Sequence, residues 1–144
     1  MNNHFFSDKT IVPAIVPVSK NNAALVAAEV DATGWERVCF IVSTGAMGAG
    51  TTLNVEVTES NVTGGTFTAH TPSTAITELA AATGASKVVA IDMAVNFLKP
   101  ILLLSGTTAT SGAVLNSAVA VLYNRGGAIP VTAAASFREE VRVD

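Results

Sequence analysis

Charge, cysteine, histidine and aromatic rings are all scarce in this chain, and each shortage removes a class of function. Only 13% of the 144 residues are charged, about half the share usual for a globular domain. The eight Lys and Arg residues are scattered singly and the net charge is −3. No basic stripe exists to neutralise phosphates, so nucleic acid is not an expected partner. A single cysteine, Cys39, excludes an internal disulfide. It sits in the apolar run Val38–Val42 with no His or Lys beside it, so a buried, inert thiol is expected. The two histidines, His4 and His70, fall short of the three or four ligands a zinc site needs, and His70 reads as an exposed side chain. Apolar runs are short and broken by Gly, Pro or charge, so no membrane span is expected. The first ten residues, MNNHFFSDKT, lack the basic and long apolar regions of a signal peptide, which points to folding in a cytoplasm.

The familiar constellations of catalysis are missing as well. No Gly-x-Ser-x-Gly elbow occurs. Glu56 and Glu59 lie three apart on a strand pattern, hence on opposite faces, where they cannot act as an acid–base pair. Glu29, Glu36, Glu78 and Asp92 are dispersed and read as solvated. The Gly45–Gly50 run lacks the Lys-Ser/Thr of a phosphate loop, and Asp31 stands without the neighbours a calcium loop requires. One Trp, one Tyr and six Phe do not make the ring platform of a carbohydrate-binding sandwich, and Trp35 reads as a core-edge residue. No catalytic, cofactor-binding or metal-ligating residue is assigned, no cofactor is expected, and the chain reads as a non-enzyme.

What the chain has in abundance is strand grammar. In Thr51–Ser60, Leu53, Val55 and Val57 share one parity while Thr52, Asn54, Glu56 and Thr58 share the other, the period of a strand with one buried and one wet face. Gly64-Gly65 then supplies a reversal into Thr66–Thr71, making a hairpin. Trp35–Thr44 is apolar on both parities past Arg37, which predicts a central strand covered on both sides. Val89, Ile91, Met93 and Val95 define another buried face, and Pro100–Ser105 and Ala113–Tyr123 two further strands. Pro13 and Pro17 confine Thr10–Ser19 to a sheet edge or an extended strap. Asp31-Ala-Thr-Gly and Gly106–Gly112 read as turns or loops, Ala23–Val30 as a strand, and Ala75–Ala82 as a short helix with a strand at Ile76–Leu79 competing. About eight strands with turn signals between them predict an all-β fold, an antiparallel, jelly-roll-like β-sandwich with extended terminal arms. The expected organisation is an N-terminal arm over 1–9, a sandwich over 10–132 and a C-terminal tail over 133–144.

Both ends carry large apolar residues in polar surroundings: Phe5-Phe6 in the first arm, and Phe137 before the charged run REEVRVD. Burying one phenylalanine contributes roughly 1.5–3 kcal/mol, so each tail either crosses to another subunit or folds back on its own domain. Phe5, Phe6, Phe137, Arg138 and Val141 are the expected interface residues. A surface poor in charge and rich in Thr, Ala and Ser favours self-association, and a homo-oligomer, with a trimer favoured, is expected.

The phrases ATGWERVCFIVSTGAM, TLNVEVTES, GGTFTAHT, GASKVVAIDM and AVAVLYNRGGAIPVT, covering about two-thirds of the chain, resemble small structural proteins of tailed-bacteriophage virions. The resemblance implies a compact β-sandwich on the particle, as a capsid decoration (cement) protein or in a head spike or tail assembly. It brings no active-site residues. It implies a location on the virion head surface after synthesis in the bacterial cytoplasm, with the major capsid protein as partner. The alternative it leaves open is a tail or head-fibre component whose sandwich binds a host-surface glycan.

Overall fold

Ten β-strands and no helix make up the described part of the computed structural model, which comprises residues 9–71, 74, 76–80, 86–109, 113–125 and 138–142. The strands are β1 (Lys9–Asn21), β2 (Val30–Asp31), β3 (Trp35–Met47), β4 (Thr52–Ser60) and β5 (Thr68–Ala69). They continue with β6 (Ile76–Ala80), β7 (Val88–Ala94), β8 (Ile101–Ala109), β9 (Ala113–Arg125) and β10 (Arg138–Arg142). They form two antiparallel sheets, ordered β1-β9-β3-β7-β10 and β2-β8-β4-β5, with β6 also on β4. β8 pairs with β4 along its whole length, from Thr52↔Ala109 to Ser60↔Ile101. β5 and β6 therefore share the opposite edge of β4, β5 opposite Thr58–Glu59 and β6 opposite Thr52–Val55. Together they occupy one strand position. Between them, Val57 keeps its hydrogen bonds through other groups: its amide donates to Thr74 Oγ1 at 2.7 Å and its carbonyl accepts from the His70 amide at 3.0 Å. The result is four strand positions facing four, with successive strands passing between the sheets as in a jelly roll, and β10 added outside β7.

The core lies between the sheets because one parity of each strand is apolar. Val38, Phe40 and Val42 of β3, Val89, Ile91 and Met93 of β7, and Val114, Ala118, Ala120 and Leu122 of β9 meet Leu53, Val55 and Val57 of β4 and Leu102 and Leu104 of β8. Trp35 packs at the margin of this cluster, as its position at a strand start suggested. The β1 edge holds Pro13 and Pro17, and its pairing with β9 shifts register between Pro13 and Ile15 and again between Ile15 and Val18. Proline withholds a ladder donor, so these shifts fall where the edge tolerates them. The turn after β2 is built as the sequence implied: Thr33 N donates to Asp31 Oδ1 at 2.9 Å, and Gly34 takes φ +82°.

Four expectations are corrected. Ile76–Ala80 is a strand, not a helix: a short alanine-rich segment has weak helical stability of its own, and the free edge of β4 captures it. Ala23–Val30 is not a strand apart from its last residue. Leu25 N donates to Gly106 O of one sheet and Ala28 N to Ala14 O of the other, so this segment is the crossover between them. Gly106–Ala109 belongs to β8 rather than to a loop, and Gly106 fits there because a Cβ would collide with the Asn54 backbone on the neighbouring strand. β3 is central, between β9 and β7, but only one of its faces is covered; Arg37, Cys39, Ile41 and Ser43 on the other are half-buried.

Candidate functional site

The most organised polar cluster caps one end of the sandwich and is built on the core-facing parity of β4. Glu59 continues the line Leu53, Val55, Val57, so its carboxylate points between the sheets instead of into water. The hairpin register sets Glu59 opposite Thr68, which brings His70, two residues further on, to the same face. Glu59 Oε2 and His70 Nδ1 are 2.6 Å apart, with the side chains 5% and 7% exposed. At that separation one proton lies between them. Asn96 Nδ2 donates to Glu59 Oε1 at 3.1 Å. Lys99 Nζ lies 3.6 Å from the same oxygen and donates to Thr68 Oγ1 at 2.9 Å. A buried carboxylate needs several such partners to offset its lost hydration. Here they come from His70, just past β5, and from the segment between β7 and β8, and the cluster ties both to β4.

That segment is a tight turn. Lys99 N donates to Asn96 O at 2.9 Å and Leu98 N to Asn96 Oδ1 at 3.1 Å, while Val95 N is anchored on Glu36 O at 2.8 Å. Its two central residues are Phe97, 67% exposed, and Leu98, 84% exposed. A rigid turn thus holds two large apolar side chains in water, directly above a buried ion-pair network. Both oxygens of the Glu59 carboxylate are engaged, Oε2 by His70 and Oε1 by Asn96 and Lys99, and among the described residues no group of three His, Cys, Asp or Glu side chains could hold a metal.

A second cluster lies on the outer face of the β1-β9-β3-β7 sheet. The Arg37 guanidinium donates from Nε to the Tyr123 hydroxyl at 2.8 Å and reaches Asp92 Oδ2 at 2.9 Å. Tyr123 donates to Asp92 Oδ1 through a short hydrogen bond. Burial and the bond to Asp92 push the Tyr123 phenol up to about 12. Burial works against the Arg37 charge, but the bonds to Tyr123 and Asp92 outweigh it and raise its pKa. Cys39, on the same face, has its thiol pushed up by burial and by the nearby Asp92 charge, which agrees with an inert thiol; it is, however, half-buried and not enclosed.

His70, expected to be exposed, is therefore buried together with Glu59, and Thr58, assigned to the wet face, is buried as well and donates to Leu103 O at 3.0 Å. Asp92 is not isolated but paired. Of the expected interface residues, Phe5, Phe6 and Phe137 lie outside the described residues. Arg138 and Val141 fall on β10, whose backbone pairs with Asp92 and Val89 of β7. That part of the C-terminal tail folds back on its own sheet. Phe97 and Leu98 were passed over because nothing local marks an exposed Phe-Leu pair; the Asn-x-x-Lys turn beneath them was the available signal.

No protein-family model, curated protein or solved structure matches this chain.

Proposed function

We propose that this chain is a non-enzymatic structural component of a tailed-phage particle: a decoration protein that docks on the outer capsid as a symmetric oligomer and braces the major capsid protein. The observation that carries the reading is the Phe97–Leu98 turn, two large apolar side chains held in water by a buried network. Pre-ordering removes the loop-ordering part of the entropy cost of docking, and burying each side chain contributes roughly 1.5–3 kcal/mol. The phrase-level resemblance to virion proteins and the charge-poor composition support the same reading. Many such contacts repeated by capsid symmetry give avidity without a strong single site, and the added buried area stabilises the shell against the pressure of packaged DNA.

Protein composition and imaging of intact, purified particles test the proposal. Density on the head lattice, in copy numbers that follow capsid symmetry, is expected. Absence from particles overturns it, and density confined to the tail or fibres transfers the chain to the glycan-binding alternative.

A further inference from the structure

Between the Arg37–Asp92–Tyr123 cluster at one end and Ser43 and Ser117 at the other, the outward parity of the β1-β9-β3-β7 sheet is apolar where a sandwich normally turns polar residues to water. Residues paired across an antiparallel ladder share a face, and the ladders place Ile11 beside Val121, Val119 beside Ile41, and Ile41 beside Ala90. Ile11 is 43% exposed, Val119 37% and Val88 47%, while Val121, Ile41 and Ala90 are half-buried. This is a continuous apolar strip across four strands, not scattered single residues. The charges that the ladders place on this face lie at its margins: Arg37 and Asp92 are in direct contact with each other, Lys9 stands opposite Tyr123, and β10 sets Arg138, Glu140 and Arg142 opposite Asp92, Ala90 and Val88, so Ile11, Val121, Val119 and Ile41 form an apolar centre with a charged rim.

We propose that this face packs against the same face of a second copy of the chain, sheet on sheet across a two-fold axis. The area favours that occupant. Four strands spaced about 4.8 Å and seven residues rising about 3.4 Å each give a flat footprint of roughly 450 Å² per copy. Two such faces, with side-chain relief added, come to about the 1,000 Å² a specific interface must clear. A single extended segment is one strand wide and covers about a quarter of that breadth. A second sheet, stacked about 10 Å away, covers all of it at once. The contact is isologous, so it joins copies in pairs. It rests on the sheet geometry alone and stands or falls independently of any virion.

Cys39, the only cysteine, lies in the middle of this face, paired with Val121 on one side and Asp92 on the other, and serves as a reporter. Light scattering on the purified full-length chain should give an even-numbered assembly. Maleimide labelling of Cys39 should be slow when concentrated and rise about tenfold on dilution through the dissociation constant. Val119→Arg, in the centre of the strip, should give a folded monomer with fast-labelling Cys39, whereas Phe97→Arg should leave the mass unchanged. If Val119→Arg fails to fold, the dilution series on the wild-type chain decides. A monomer at every concentration, an odd-numbered assembly, or a Cys39 labelling rate independent of dilution overturns the proposal; a monomer whose Cys39 is protected until Met1–Asp8 is deleted does so too, by showing that the chain's own N-terminus is the cover.

Discussion

Glu59 and His70 meet at 2.6 Å across the β4–β5 hairpin, on the core side of the sheet. Removing one partner leaves the other buried without its strongest contact, and such losses cost about 3–5 kcal/mol. Asn96 and Lys99 remain beside Glu59, so His70→Leu should fall at the lower end of that range. Adding Glu59→Leu removes the stranded carboxylate and should restore part of the stability. Urea midpoints of the two single variants and the double variant check this. Additive losses would show that the two side chains do not act as a pair.

Phe97 and Phe40 make opposite predictions from the same residue type. Phe40 is fully enclosed between the sheets, and Phe40→Ala should cost about 3–5 kcal/mol. Phe97→Ala touches no core and should change stability by no more than about 0.5 kcal/mol. On the proposed function the order reverses for binding. Phe97→Ala or Leu98→Ala should weaken attachment to purified capsids by about 2 kcal/mol per site, roughly thirtyfold. Thermal melts and co-sedimentation with particles separate the two effects.

Gly106 and Gly34 are required for different reasons. At Gly106 a Cβ would strike the Asn54 backbone of the paired strand, and Gly106→Ala should cost about 1–3 kcal/mol through a forced backbone shift. At Gly34 there is open space but φ is +82°, so Gly34→Ala should cost about 1 kcal/mol through strain. Asparagine adopts the left-handed region more easily. Gly34→Asn should therefore regain part of the loss, while Gly106→Asn should regain none. Melting temperatures of the four variants decide it.

The parts of the fold legible in the sequence were those where a local rule and the tertiary structure agree. Val38, Phe40 and Val42 alternate because one face is core, and Pro13 and Pro17 sit at an edge because no ladder amide is needed there. The segment Ile76–Ala80 is ambiguous in sequence, because alanine content favours a helix over the competing strand while the free edge of β4, distant in sequence, supplies the strand's partners. The site was less legible still. Glu59 and His70 are eleven residues apart and become neighbours only once the hairpin register is fixed at Glu59↔Thr68. Asn96 and Lys99 reach them from the turn between the two sheets. The parity of Glu59 with Val55 and Val57 was the one visible warning that its carboxylate faces inward.

Tyr123 offers the cleanest titration, because it is the only tyrosine. Its phenol is held up at about 12 by burial and by its hydrogen bond to Asp92, against the ordinary value of 10. A folded-state pKa above the unfolded one means that the associated stability is complete below pH 10 and is lost as pH rises from there through 12. Ultraviolet phenolate absorbance should therefore rise with a midpoint near 12 and coincide with, or lag, the onset of alkaline unfolding seen by far-ultraviolet dichroism. Asp92→Asn removes the carboxylate that disfavours the phenolate while leaving Arg37, which favours it. The midpoint in that variant should move down. A midpoint that stays put would mean that burial alone sets the tyrosine's titration and that the bond to Asp92 contributes nothing.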